Sequence, residues 1–226
     1  MRRCPLCQNS NIAFFYQDKK RAFFRCLSCQ LVFSDSSSHL PPSSQQQRFG
    51  GSHHSKKQKQ LSDFIFPLLK QLQSLSNDKL IGLTYGRVMD SQSLKSIEEA
   101  GHQLFQFDPF LAPNHGLFKK QYDFICCYQV FEHFRNPRQE WRLLQRMLKH
   151  GALLAINIQL LKKIELFAKW HHKNNLAHVC FYQAETFKYL AEKSGFTLLF
   201  ATNDLILMQK PSKSDINANR KLSSDN

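Results

Sequence analysis

Four cysteines near the N-terminus have the spacing of metal ligands. They form two C-x2-C pairs, Cys4 with Cys7 and Cys26 with Cys29, and two such turns can close a tetrahedron of thiolates around zinc. About thirty residues cannot bury enough apolar surface to fold alone, so a bound metal would supply the folding energy. Four thiolates fill the coordination of zinc, which predicts a structural site. The alternative is four unligated thiols, for which both pairs and their separation would be coincidental.

A second group of residues surrounds the end of a predicted strand. Thr84 closes that strand, and Tyr85 and Gly86 form a turn where a glycine lets a ligand approach the backbone closely. Asp108 closes the next predicted strand, at a position where an acid can bind ribose hydroxyls. Because Asp108 precedes Pro109, its carboxylate could instead cap a turn.

Strands and helices that alternate along the chain must position these residues. Short apolar runs alternate with amphipathic ones after residue 60, which indicates a parallel sheet covered by helices. The segment before it is rich in Ser, Gln, Gly and His and has little to bury. We therefore predict a zinc ribbon over 1–33, a flexible linker over 34–60, a sheet domain over 61–210 and a disordered tail over 211–226.

Taken together, these residues resemble those of bacterial class I S-adenosylmethionine-dependent methyltransferases that carry an N-terminal zinc ribbon. Besides the four cysteines, the resemblance rests on Phe107-Asp108-Pro109-Phe110, Tyr122-Asp123-Phe124-Ile125, Val130-Phe131-Glu132-His133-Phe134 and His178-Val179-Cys180-Phe181-Tyr182. It implies an α/β, Rossmann-like sheet of about seven strands. It also implies S-adenosylmethionine as cofactor and methyl transfer to an acceptor that the sequence does not identify.

The resemblance also implies site residues. The cofactor would be bound by Thr84, Tyr85, Gly86, Asp108, Tyr128 and Glu132. His178 is a candidate general base at near-neutral pH, although a histidine packed in the core would look the same in the sequence. For Glu132, an equal alternative is a charge placed at the start of a helix.

The glycine turn departs from the family pattern. Gly86 is its lone glycine, and Val88 and Met89 stand where further small residues are expected. A β-branched residue is unfavourable where φ is positive, and its side chain could fill space meant for the cofactor. Two hypotheses follow: an active methyltransferase with a modified pocket, or a catalytically inactive methyltransferase-fold protein that only binds.

The net charge of the chain indicates which class of partner the protein binds. The 31 Lys and Arg outnumber the 17 Asp and Glu, giving a net charge of +14, and more than half of this excess lies in the first 60 residues. A basic N-terminal region favours an anionic partner. We expect a small-molecule or nucleotide-linked acceptor, with an RNA-binding zinc-ribbon protein as the rival, and a monomeric chain.

The sequence also bears on the cellular compartment in which the protein works. No apolar run approaches the roughly 20 residues of a membrane span, and no apolar stretch follows the basic N-terminus as in a signal peptide. We therefore expect a cytoplasmic protein without a membrane partner. Cys126, Cys127 and Cys180 lie in apolar runs and are expected in the core.

Overall fold

A computed structural model describes residues 2–41, 43–44, 54–202 and 204–215; the side chains of residues 54–63 are not included. Its ten strands form two sheets. The strands are β1 Ile12–Gln17, β2 Ala22–Cys26, β3 Val32–Ser34, β4 Ile81–Tyr85, β5 Gln103–Phe107, β6 Tyr122–Tyr128, β7 Leu148–Asn157, β8 Cys180–Phe181, β9 Thr197–Ala201 and β10 Leu205–Gln209. The helices are α1 His54–Leu75, α2 Ser91–Glu99, α3 Pro137–Met147 and α4 Ala184–Ser194.

The larger sheet has six strands in the order β5-β4-β6-β7-β10-β9. The first four strands are parallel, and β10 and β9 continue the sheet in antiparallel register. Alternate residues face two separate cores, so that Ile125 and Cys127 pack into one and Phe124 and Cys126 into the other. This period of two, with apolar residues on both faces, is typical of a sheet covered on both sides. The predicted α/β class is therefore confirmed.

Among the described residues the larger sheet has six strands, one fewer than the number of about seven that the resemblance implies. The segment between β5 and β6 is short and contains a 3-10 helix, His115–Lys119. A crossover between parallel strands takes a dozen or more residues by itself. The fourteen residues 108–121 therefore have no room for a crossover and an additional strand.

Local sequence explains the helix ends. Asp90 caps α2, with its carboxylate accepting a hydrogen bond from the backbone of Ser93. Gly195 ends α4 in the left-handed conformation, with φ of 69°. Helix α1 begins at His54 and continues through Pro67, so the predicted linker 34–60 is helical over its last seven residues. Residues 42 and 45–53 of that linker lie outside the described residues.

The N-terminal strands do not form a separate module. Strands β1, β2 and β3 are antiparallel, and β3 pairs with β8 from the second half of the chain. The buried side chains of Cys4, Cys29 and Phe33 belong to the same core cluster as Leu83 of β4. The region predicted as a tethered ribbon is therefore packed into the main core, and its last strand extends one residue beyond the predicted boundary at 33.

Two further sequence predictions concern the chain end and the membrane. Of the predicted tail 211–226, the structure describes 211–215, and the rest lies outside the described residues. Within the described part of the chain, no helix has the length and apolar character needed to cross a bilayer.

Candidate active site

The four cysteines converge as the spacing predicts. Their sulfur atoms all lie within 4.8 Å of one another, with 3.6 Å between Cys4 and Cys29 and 3.5 Å between Cys7 and Cys26. A tetrahedral zinc ion with Zn–S bonds of about 2.3 Å separates its sulfur ligands by about 3.8 Å. The cluster therefore has close to the size that zinc requires.

The two cysteine turns share one backbone design. Each turn is closed by a hydrogen bond to the first cysteine carbonyl, from Gln8 to Cys4 at 3.0 Å and from Gln30 to Cys26 at 2.9 Å. Gln8 and Gln30 adopt φ of 65° and 64°, a conformation that costs a non-glycine residue energy. The Gln8 amide adds a second bond to the Cys4 carbonyl at 3.0 Å, which holds the turn.

A cavity of about 710 Å³ lies beside the carboxyl ends of β4 and β5. Its walls are mostly apolar and come from those strand ends, the 3-10 helix His115–Lys119, the turn after β6 and helix α3. The lining includes Tyr85, Gly86, Phe107, Pro109, Phe110, His115, Phe118, Val130, His133, Phe134, Glu140, Arg142 and Arg146. Cavities of this size and character hold small ligands, and in open α/β sheets ligands bind at this edge.

The glycine turn brings two strand ends close together. Gly86 has φ of +95°, and a Cβ at this position would lie 2.3 Å from Cγ2 of Val130. Its N–H donates to the Phe107 carbonyl at 2.9 Å. Glycine is therefore required here both by the backbone conformation and by the contact with Val130.

The residues after Gly86 leave this cavity open. Val88 is 37% exposed, and Met89 packs into the core on the α1 side of the sheet, so neither lines the cavity. Arg87, between them and Gly86, is half-buried. Burial lowers the pKa of its guanidinium, whereas the carboxylates of Glu132 and Asp108 raise it.

The Asp108 side chain caps the turn that follows it, by hydrogen bonds to the backbone. Its side chain is 2% exposed, and Oδ1 accepts hydrogen bonds from the backbone of Phe110 at 2.8 Å and Leu111 at 3.0 Å. It does not line the cavity. The geometry thus agrees with the turn-capping alternative, and a ribose-binding role for Asp108 stays a prediction.

Three of the other residues predicted to bind cofactor carry buried polar atoms without a hydrogen-bond partner among the described residues. These atoms are Oγ1 of Thr84, the hydroxyl of Tyr128 and Oε2 of Glu132. Burial raises the pKa of the Glu132 carboxyl to about 7, with Arg87 opposing the shift. Buried polar groups in native proteins are nearly always hydrogen-bonded, so these atoms are unusual. None of the three residues lines the cavity, and Tyr128 packs into the core on the α1 side of the sheet.

His178 does not reach the cavity. It is buried, its Nδ1 lies 2.9 Å from the His172 carbonyl, and its Nε2 lies 3.0 Å from the Asn175 amide nitrogen. The carbonyl can only accept, so Nδ1 carries the proton and Nε2 accepts from Asn175. Burial lowers the pKa of His178 to about 4. With its lone pair engaged, His178 is poorly placed as a general base.

The cavity wall formed by α3 contains none of the site residues predicted from the sequence. The Tyr85 hydroxyl donates to the Glu140 carboxylate, and the Tyr85 ring stacks on Phe107 at 5.4 Å. Burial raises the pKa of Glu140, while the hydrogen bond from Tyr85 lowers it. No spacing in the sequence connects Glu140 to Tyr85, because only the packing of α3 on the sheet brings them together.

The N-terminal strands support the far side of this site. Arg21 is buried and donates to the carbonyl of His178 at 2.9 Å, and the Gln183 amide donates to the Gln30 carbonyl. The Val179 N–H in turn donates to the Glu132 carbonyl at 2.8 Å. The segment around His178 therefore bridges the cysteine cluster and the turn after β6.

Comparison with known proteins agrees with this architecture. The sequence profile of the family described as "Methyltransferase domain" matches residues 28–200. No curated protein sequence matches the chain significantly.

Among solved structures, the chain is similar to the 1,6-didemethyltoxoflavin-N1-methyltransferase of Burkholderia thailandensis, solved with 1,6-didemethyltoxoflavin and S-adenosylhomocysteine. The TM-score is 0.54 at 11% identity, covering 88% of this chain and 99% of that one. An O-methyltransferase family protein from the same organism has a TM-score of 0.48 at 12% identity, covering 74% and 63%. The first likeness supports the fold, and the profile match shows that this chain belongs to the methyltransferase domain family.

Proposed function

We propose that this protein transfers a methyl group from S-adenosylmethionine to a small-molecule acceptor. The observation that carries the proposal is the cavity of about 710 Å³ at the carboxyl ends of β4 and β5, in a chain of the methyltransferase domain family. Its volume falls within the roughly 300–1,000 Å³ of small-molecule sites.

The residues present are compatible with this cofactor. The cavity is open beside Gly86, because Val88 and Met89 point elsewhere. The unpartnered hydroxyls of Thr84 and Tyr128 also lie at the carboxyl ends of the strands, but they do not line the cavity, and Tyr128 packs into the core on the α1 side. Asp108 departs from the expected pattern, so we do not assign the ribose to it.

The protein's part in the reaction is binding and orientation. When bound, the cofactor supplies a methyl group made electrophilic by the adjacent sulfonium. The rings of Tyr85 and Phe107 offer flat apolar surface for an adenine, and aromatic faces also attract cations. The hydrogen bond between Tyr85 and Glu140 fixes the position of the Tyr85 ring. A binding wall that is already in place holds the cofactor in the orientation needed for methyl transfer, which lowers the entropic cost of the reaction.

A small-molecule acceptor suits the cavity better than an RNA strand does. The lining is concave and mostly apolar, whereas an RNA site needs an extended basic groove. Arg142 and Arg146 of α3 contribute the basic side chains of the lining. We therefore propose an acceptor with an apolar or aromatic body and an anionic group.

We further propose that Cys4, Cys7, Cys26 and Cys29 bind one structural zinc ion. The sulfur separations fit a tetrahedron, and three of the four side chains are buried. With four protein ligands the ion has no open position for substrate. Its role would be to hold the β1–β3 sheet against the segment that carries His178.

Isothermal titration of the full chain with S-adenosylmethionine and with S-adenosylhomocysteine tests the main proposal. We expect dissociation constants of about 1–100 µM, and a weakening of at least about tenfold in Tyr85→Ala, which removes the ring wall. Phe14→Ala, which removes an exposed ring on β1 away from the cavity, is the matched control and should bind as the wild type does. No binding at about 1 mM would reject the enzyme and favour the inactive, fold-only alternative.

A further inference from the structure

A second cluster of potential metal ligands lies apart from the cysteines. One donor atom from each of Glu132, His133 and His178 lies within 4.8 Å of the others. All three side chains are buried, and the two imidazole rings are 4.8 Å apart between centroids at an angle of 77°. The chemistry proposed above uses none of them as a ligand.

Backbone carbonyls orient both histidines in the same way. Nδ1 of His133 lies 3.0 Å from the Ala177 carbonyl, and Nδ1 of His178 lies 2.9 Å from the His172 carbonyl. Since a carbonyl only accepts, both rings carry their proton on Nδ1, and the lone pair is on Nε2. This is the arrangement in which metal-binding histidines are usually held, with the second nitrogen donating to a carbonyl or carboxylate.

The carboxylate of Glu132 completes the donor set. It is 8% exposed, and its Oε2 accepts no hydrogen bond from any residue that the structure describes. A buried carboxylate oxygen without a donor is unfavourable unless a cation or donor occupies the adjacent space. This is an observation independent of the histidines, and it too indicates a ligand.

We propose that Glu132, His133 and His178 form a binding site for a divalent first-row transition ion such as Zn²⁺, Co²⁺ or Mn²⁺. Two imidazoles and one carboxylate select such ions over Mg²⁺ and Ca²⁺, which prefer all-oxygen sites. Three protein ligands leave at least one coordination position open. An ion about 2.1 Å from each donor requires donor atoms at most about 4.2 Å apart, so separations of up to 4.8 Å must contract when the ion binds.

The place of His133 suggests what fills the open position. His133 also lines the cavity of about 710 Å³, so an ion bound to it would adjoin that cavity. An oxygen donor of the acceptor, such as a hydroxyl or carboxylate, is the expected ligand. This part of the inference rests on the proposed function, whereas the metal site itself does not.

Within the described part of the chain, two groups oppose the ion and set its expected affinity. The Asn175 amide must release Nε2 of His178, which it now meets at 3.0 Å. Arg87, whose charge offsets that of Glu132 and Asp108, must tolerate a nearby cation. We therefore expect this ion to exchange readily and the cysteine-bound ion to be held far more tightly.

Metal titration of the full chain, without S-adenosylmethionine, tests the site. Metal-stripped protein is titrated with Co²⁺ under reducing conditions, and bound metal is counted by mass spectrometry. We expect two equivalents in the wild type, one with strong thiolate charge-transfer absorption and a weaker one with only faint visible bands. Glu132→Gln and His178→Gln should each keep the first equivalent and lose the second. His171→Gln, an exposed histidine on the same segment, should keep both.

Two results would overturn the inference. One is a wild-type stoichiometry of a single ion, fully accounted for by the thiolate absorption. The other is a second ion that both variants retain. The thiolate band reports that the N-terminal sheet is folded, so a variant that lacks it is set aside and the other variant decides. A chain that binds two ions but no S-adenosylmethionine would keep this site and reject the proposed function.

Discussion

The contact between Gly86 and Val130 yields a prediction whose size can be worked from the structure. Alanine at position 86 must adopt φ near +95°, and its Cβ would lie 2.3 Å from Cγ2 of Val130. The left-handed conformation costs an L-residue about 1–2 kcal/mol. The overlap with a packed side chain costs about a further 1–3 kcal/mol. We therefore expect Gly86→Ala to lower the free energy of unfolding by about 2–5 kcal/mol.

A matched control separates the two costs. Gly151 has φ of +78°, but an added Cβ there would have no atom within 4 Å. Gly151→Ala should therefore lose only the conformational part, about 1–2 kcal/mol. In a double-mutant cycle, Val130→Ala should recover about 1–3 kcal/mol of the Gly86→Ala loss by removing the overlap.

The assay is urea unfolding of the full chain, followed by circular dichroism and analysed by linear extrapolation. The reasoning is refuted if Gly86→Ala costs no more than Gly151→Ala. It is equally refuted if Val130→Ala leaves the Gly86→Ala loss unchanged, because the close approach would then not be the cause.

Further predictions concern the metal, the turn at Asp108 and the effect of pH. Cys26→Ser should abolish tight metal binding and lower Tm by more than about 10 °C, whereas Cys126→Ala should keep the bound metal, as elemental analysis and thermal unfolding will show. Asp108→Ala should cost about 1–3 kcal/mol because it leaves two backbone N–H groups without an acceptor, while Asp108→Asn keeps an acceptor oxygen; equal losses in urea unfolding would contradict the capping role. Burial lowers the pKa of His102 below 6.5, and its Nδ1 accepts from the Leu80 N–H at 3.3 Å. The unfolded chain therefore binds this proton first, and stability should fall as pH drops below about 6.5. Burial also lowers the pKa of His133, His172 and His178, so His102→Gln should reduce the slope of this part of the pH profile without removing it, and an unchanged slope would refute the contribution of His102.

Much of the larger sheet could be predicted from the sequence. The segment Gln103–Phe107 is a strand in both the prediction and the structure, and Gly195 ends α4 as expected. These features depend on local patterns of apolar residues and on the conformational freedom of glycine, which neighbouring residues decide. The absence of a seventh strand also has a local cause, the short segment between β5 and β6.

The linker boundary shows where composition misleads. Residues 54–60 are polar, which favoured a flexible linker, yet they are helical as the first turns of α1. Lysine and glutamine are good helix formers, and apolar residues such as Phe64 and Leu68 anchor the later turns in the core. A polar segment can therefore continue a helix whose stability comes from packing further along the chain.

The sequence alone determined the features that depend on residues close together in the chain. These are the paired cysteines, the strands and helices, and the single glycine of the turn. The tertiary structure decided how those groups are used. It paired β3 with β8, which joined the N-terminal strands to the main core. It also directed the Asp108 carboxylate towards the backbone N–H of Phe110, two residues further along the chain. It also brought Glu132 and His178 together. Such contacts join residues far apart in the chain, and their free energy depends on the packing of whole elements, which local spacing does not encode.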